Sequence, residues 1–389
     1  MSRELFEFGG HIELVYERLQ NFDLDSGNGD DLDLLPVELE LGVLFSPNDH
    51  FEAYLQSKLT RTLVLRDDGE DEVRDSELLV EEAYVIVTEP DWGLSLQVGR
   101  QSFEDRRQWL YDAELDAVRA LYRAQNLAVE LSASREGLVD KDLLNSEEEE
   151  SIDNYTLYGT YELGEHVTIG AYGILRDPGG RDRPVFLGLQ SFGTLGERLS
   201  YWLDAAHVRG QEDGSDLRGY GFDVLGSYRL NAPLSPHVIL GYAFGSGDSD
   251  PDDDRDGAFR QTGLQGNETE VGGLTPFSYY GEAFDPELSN MSIFTFGLGA
   301  RPTTEVSADL VYHYYVQNEA SEELRDSALD AEPTGESRRL GGEIDLVLGF
   351  EEEGEFRIRG FLGYFMPGRA FKAGADNAFF VRLEAQYEF

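Results

Sequence analysis

Two-residue alternation of apolar and polar side chains runs through most of this chain. In FVRLEAQYEF, residues 380–389, Val381, Leu383, Ala385, Tyr387 and Phe389 fall on one face of an extended strand, and Arg382, Glu384, Gln386 and Glu388 on the other. Val37, Leu39, Leu41, Val43 and Phe45 alternate with Glu38, Glu40 and Gly42. Tyr155, Leu157, Gly159, Tyr161 and Leu163 do the same against Thr156, Tyr158 and Thr160, and Val167, Ile169, Ala171, Gly173 and Leu175 continue the period. Each segment reads as a strand with one apolar face.

The connections alternate in length. Short turns are predicted near 46–49, 89–92, 124–126, 164–166, 193–197, 230–236, 302–304 and 351–354. Long polar stretches are predicted near 20–34, 66–76, 103–113, 135–152, 176–183, 210–216, 245–288, 318–338 and 366–377. This odd number of connections gives about eighteen antiparallel strands with both chain ends on the short-turn side, the layout of a bacterial outer-membrane barrel. We therefore expect an all-β fold with one domain over 1–389: an antiparallel transmembrane β-barrel with short periplasmic turns and long extracellular loops. A soluble sandwich or solenoid is the competing fold, but it does not call for membrane-length strands with one-sided loop lengths. A closing strand ending on an aromatic, Phe389, at the periplasmic rim suits the barrel.

Composition narrows the reading. No window reaches the roughly 18 consecutive apolar residues of a spanning helix, whereas a barrel shows lipid only every second side chain. The net charge of −46 excludes a general nucleic-acid binder, which needs clustered cations. Disorder does not fit a chain with 12% aromatics and 43 Gly. Cysteine is absent, so disulfides, thiolate metal sites and cysteine nucleophiles are out, as suits an oxidising compartment. The start, MSREL, lacks an apolar segment, and we expect that an initiator Met stands where a signal peptide was removed.

Acidic runs at 23–33, 67–77, 147–150 and 248–256 fall in the expected loops. Solvated loop surface is the plain reading. The functional one is bridging of divalent cations or lipopolysaccharide outside the cell, with calcium on Asp248, Asp250, Asp252, Asp254 and Asp256, since carboxylates are hard oxygen ligands.

Three stretches carry a family resemblance: VGRQSFEDRRQWLYDAELDAVR at 98–119, GSGDSDPDDDRDGAFRQTGLQGNE at 245–268 and YYGEAFDPELSNMSIFTFGLGARP at 279–302. Together with LVYHYYVQ at 310–317 and PGRAF at 367–371, they resemble the alginate-export outer-membrane proteins over nearly the whole chain. The resemblance implies an eighteen-stranded monomeric barrel that carries an anionic uronic-acid polymer out of the periplasm through a conduit lined by basic residues, docked to a periplasmic scaffold. The strong negative charge of this chain departs from that pattern and leaves the polymer open.

Alternation also assigns faces. On 355–365, Phe356, Ile358, Leu362 and Tyr364 face lipid, so Arg357 and Arg359 face the lumen; on 114–123, Val118, Ala120 and Tyr122 face lipid, so Arg119 and Arg123 face inward. Inward sets elsewhere are Glu52, Tyr54, Gln56, Lys58 and Thr60, then Arg382, Glu384 and Gln386. Guanidinium groups suit a sliding carboxylate polymer, because paired hydrogen bonds can be handed along the wall while interspersed acids keep each site shallow. The plainer reading is bracing, with Arg357 and Arg359 opposite Glu343 and Asp345. Asp309, His313 and Tyr315 share one inward face and read first as an internal hydrogen-bond network. The segment 103–112, with Arg106, Arg107 and Trp109, is expected either to fold inward as a gate or to pack outside.

Two other functions compete. The six His residues form no G-x-S-x-G, H-E-x-x-H or triad spacing, so an enzyme is not expected. A diffusion porin for small anions or sugars is the second; sequence does not place a loop in the pore, so it does not separate porin from exporter. No nucleotide-binding loop is present, so the energy of export must come from polymer synthesis.

Overall fold

The computed structural model describes residues 5–389 other than 70–72, 74, 140, 146–150, 181, 213, 353 and 354. The acidic run 147–150, part of 67–77 and part of the turn at 351–354 lie outside the described residues.

The alternating segments form eighteen wall strands. The first nine are β1 Phe6–Gln20, β2 Leu32–Asn48, β3 Phe51–Asp67, β4 Ser76–Glu89, β5 Leu94–Glu104, β6 Asp112–Ala124, β7 Leu127–Arg135, β8 Asp153–Leu163 and β9 Val167–Asp177. The rest are β10 Val185–Leu195, β11 Leu199–Glu212, β12 Ser215–Arg229, β13 His237–Gly245, β14 Met291–Ala300, β15 Val306–Gln317, β16 Arg339–Glu352, β17 Phe356–Pro367 and β18 Ala378–Glu388. Each pairs antiparallel with its chain neighbours, and β18 pairs with β1 from His11↔Glu388 to Gln20↔Phe379. Gly10 and Phe389 exchange backbone hydrogen bonds at 3.1 and 2.9 Å, which completes the ring at its short-turn end. Closure leaves no free edge, the condition for a sheet in hydrocarbon.

The faces follow the alternation. On β18 Leu383 and Tyr387 are exposed outward, while Glu384, between them, is buried inside. Ile12 and Leu14 on β1 and Leu55 and Leu59 on β3 continue this outward apolar belt. Among the described residues no helix is long and apolar enough to cross a membrane, and the strands make the crossing instead.

Three details differ from the sequence reading. The stretch 210–216 is not a long loop: β11 and β12 stay paired up to Glu212↔Ser215, and Gly214, at φ +86°, takes the backbone conformation that glycine adopts without strain. The tip of the β5–β6 hairpin leaves the wall; β4 and β5 pair only from Glu89↔Leu94 to Ala83↔Arg100, whereas β5 and β6 stay paired to Glu104↔Asp112. Finally, the vacated edge of β4 is taken by the β7–β8 connection, through Val80 N to Lys141 O and Leu143 N to Leu78 O, both 2.9 Å.

An arginine at the middle of the outward belt must desolvate in lipid. Leu383→Arg is expected to cost about 2–4 kcal/mol in reversible urea unfolding from lipid vesicles, and Gln386→Arg, on the inward face, much less.

Candidate functional site

Two connections fold into the lumen. The β5–β6 connection, 105–111, is held by Asp105, whose Oδ1 accepts from the backbone N–H of Leu110 at 2.7 Å and Tyr111 at 3.1 Å. Burial pushes the Asp105 carboxyl up despite these bonds. Arg107, 2% exposed, reaches across the barrel to the inward face of β11 and β12. It donates to Asp204 at 2.8 Å and Asp223 at 2.9 Å, and its guanidinium lies 4.2 Å from the centre of the Tyr279 ring. Trp109 donates to the Tyr280 hydroxyl at 3.0 Å and stacks on Phe259, and Arg106 lies over Phe192 at 5.3 Å. Of the two placements open from sequence, inward folding is the one found.

The β13–β14 connection, 246–290, is the larger filling. Its short hairpin pairs Glu268 with Ser278 and Glu270 with Pro276, and its tip reaches the short-turn end, where Leu274 N donates to Ser307 Oγ at 3.0 Å. The chain then climbs back along β15–β17. Glu343 accepts from Ala283 N at 2.6 Å, Phe284 N at 3.0 Å and the Tyr315 hydroxyl at 3.2 Å, and Phe284 packs on Tyr315 and Phe365. Near the outer mouth Glu287 accepts from Gln261 N at 2.6 Å and lies 3.4 Å from Arg325. Burial pushes its carboxyl up to about 7, against the pull of Arg325 and the Gln261 N–H. By its polar run this segment is expected as a long loop with acids; the signal that it fills the lumen is FSYYGEAF at 277–284, too aromatic for a solvated loop.

The expected brace between Arg357 and Arg359 and the acids Glu343 and Asp345 is not formed. The register sets Arg357 opposite Glu351 and Arg359 opposite Gly349, with Glu343 and Asp345 farther along the wall at Phe365 and Gly363. Arg357 instead lies 3.3 Å from both Glu351 and Glu388, and Arg359 lies 3.5 Å from Glu384. Asp345 faces His313 at 3.3 Å, His313 meets Thr295 at 3.0 Å, and Asp309 meets His237 at 2.5 Å. Asp309, His313 and Tyr315 thus each take a different partner within the buried contact between wall and filling.

The remaining predicted cations are spread over the lumen. Lys58 pairs with Glu81 at 2.6 Å; Arg119 pairs with Glu130 and lies 4.5 Å from the Phe103 ring centre; Arg382 pairs with Glu384 at 2.7 Å. Arg123 is not mid-pore: it stands exposed at the short-turn rim beside Gly93. Space remains where the first and last strands meet. A cavity of about 520 Å³ is lined by His11, Glu40, Tyr54 and Arg357, and one of about 210 Å³ by Glu13, Glu268, Arg359, Arg382 and Glu384. Acids outnumber cations on this open side.

The five aspartates of 248–256 are not gathered. Asp256 accepts from Ala258 N at 2.8 Å and pairs with Arg260, and Asp248 accepts weakly from Asp250 N at 3.4 Å. Among the described residues no three His, Asp or Glu side chains converge as a metal site.

The Alginate export family matches residues 4–381. The chain belongs to that family. It is 26% identical over 211 residues to the alginate production protein AlgE of Pseudomonas aeruginosa and 29% identical over 167 residues to AlgE of Azotobacter vinelandii. Those matches take in 46% and 37% of this chain and only 42% and 34% of the relatives' lengths. Its fold is similar to outer-membrane barrels: OccK5 (OpdH) of P. aeruginosa, at TM-score 0.64 and 12% identity over 99% of this chain and 98% of that one, and OccAB4 of Acinetobacter baumannii, at 0.63 and 11% over 100% and 99%. This Alginate export barrel is accordingly an outer-membrane protein of porin-like fold.

Removing Arg107 strands two buried aspartates. Arg107→Met is expected to cost about 3–5 kcal/mol in unfolding and to raise conductance in planar bilayers as 105–111 loosens. The Glu287 carboxyl predicts a pH dependence: docked, it keeps its proton up to about 7, and released it titrates near 4.5. Docking is therefore strongest at low pH, weakens as pH rises between those values, and loses nothing further from Glu287 above them. Conductance should rise from pH 5 to pH 7.5, and Glu287→Gln should flatten that rise.

Proposed function

We propose that the barrel carries an anionic exopolysaccharide, an alginate-like uronic-acid polymer, from periplasm to cell exterior. The observation that carries this reading is the family match along almost the whole chain. In support, Arg359 and Arg382 lie in one cavity with solvent space around them, where guanidinium groups can bind and release passing carboxylates. Glu384, beside both, keeps such contacts shallow. The filling of 246–290 and 105–111 makes the resting barrel a narrow passage, so polymer movement calls for a shift of one or both, with Arg106, Arg107 and Trp109 acting as a gate.

The same reading brings partners: a monomeric barrel in lipid and lipopolysaccharide, a signal peptide removed on export, a periplasmic scaffold at the short turns, and synthesis at the inner membrane as the energy source. Calcium on the 248–256 loop is a separate proposal, which would require these aspartates to turn toward one another. A second reading, a diffusion porin, draws on the excess of acids at Glu13, Glu40, Glu81 and Glu268 along the open side, which disfavours a polyanion and favours small cations or neutral solutes.

Reversal potentials in planar bilayers under a salt gradient separate the two. The export reading expects anion preference, lowered in Arg359→Glu/Arg382→Glu, with loss of polymer secretion in a host lacking its own exporter. Both charges lie within one Debye length of the path. A thermal melt of the double variant shows whether the wall survives; an intact melt with unchanged reversal potential and secretion would sink the arginine path, and cation preference in the unaltered barrel would favour the porin.

A further inference from the structure

The wall between β4 and β5 is open on its loop side, and a non-strand segment closes it. Arg100 and Asp116 share the outward face with Val98 and Val118 by alternation, so they would stand as charges at the edge of the apolar belt. They do not meet the outside. They pair with each other at 2.9 Å, Arg100 also donates to Val80 O at 3.2 Å and to Val139 O, and Asp116 accepts from Val139 N at 3.2 Å. Arg100 is 8% exposed under this cover. What the cover exposes is mostly apolar: Leu138, Val139, Leu143 and Leu144 are 56–63% exposed, and Lys141, whose long stem can carry its ammonium to the headgroups, is exposed among them.

Register gives the depth of this surface. Residues 141–143 dock on Leu78–Val80 of β4, and Leu78 lies opposite Leu59 of β3. Past that level the outward face of β3 carries Arg61, which is paired with Asp75 and donates to Ser76, and then Leu63 and Leu65, so apolar positions of the adjoining wall recur above the docked segment. An apolar surface continuous with a lipid-facing belt, at the depth of that belt, has one fitting occupant. Water at the same place would meet four large aliphatic side chains with no polar backbone to hydrate on β4, because that edge is already paired.

We propose that residues 136–139 and 141–145 are a membrane-embedded part of the barrel wall, with Leu138, Val139, Leu143 and Leu144 inserted among the acyl chains of the outer leaflet. The β5–β6 hairpin can then bend into the lumen without opening the barrel to lipid, because the following connection closes the seam it leaves. Burial of those four side chains against acyl chains holds the segment on β4 from outside, while Arg100 and Asp116 hold it from beneath.

The chain has no cysteine, so Leu143→Cys provides a single attachment point for a nitroxide. In proteoliposomes of lipopolysaccharide and phosphatidylethanolamine, collision with oxygen and with a water-soluble nickel chelate reports depth. Leu59→Cys marks the belt and Ser26→Cys an extracellular loop. The oxygen-to-nickel ratio at position 143 is expected severalfold above that at 26 and close to that at 59. A ratio closer to that at 26 overturns the proposal. Leu144→Cys repeats the measurement if Leu143→Cys fails to show heat-modifiable migration.

Discussion

A strand in hydrocarbon must find a partner for every backbone N–H and C=O, and the pairing of β18 with β1 is where this chain meets that demand. Once the ring is closed, each side chain has only two places to go. Apolar residues take the lipid face, and the acids and arginines between them are driven into one enclosed space. The exterior can be read as an alternation because lipid asks for little beyond apolarity. The interior must instead solve a packing and charge problem.

The solution is lopsided. The filling lies against β11–β17, where inward Asp204, Asp223, Asp309, Glu343 and Asp345 are nearly fully buried. Such groups are costly unless paired or hydrogen-bonded, and the filling meets much of that need: Arg107 serves two of them, and the backbone of 283–284 serves a third. The other side, along β1–β4, keeps half-exposed acids and a few paired cations. Gly363 marks how close the contact is: a Cβ there would lie 3.0 Å from the Cβ of Ala283.

Much of the wall was legible from sequence because lipid enforces a period of two. The strand number, the faces of Arg119, Arg357, Arg359 and Arg382, and the identity of the short turns all follow from it. The partners of those residues did not, since sliding β17 along β16 by an even number of residues would change every partner without changing any face, and the register that places Arg357 opposite Glu351 is not written in the alternation. The stretch 210–216 misled because its polar run, GQEDGSD, lengthens two strands above the membrane rather than separating them. Lumen filling was hardest to see: FSYYGEAF has no strand or helix period, and its apolar residues answer to inward-facing partners scattered over several strands.

The 246–290 connection leaves the wall at Gly245 and rejoins it at Met291, both on the same rim. It is a bight lowered into the barrel, not a thread passed through it. Withdrawing it breaks none of the ladder bonds among the eighteen strands, and no chain end has to travel. The topology therefore sets no bar to a wall that is assembled first and stoppered afterwards; what holds the stopper is its own set of contacts, among them the short parallel pairing of Arg255–Asp256 with Asp216–Leu217 of β12.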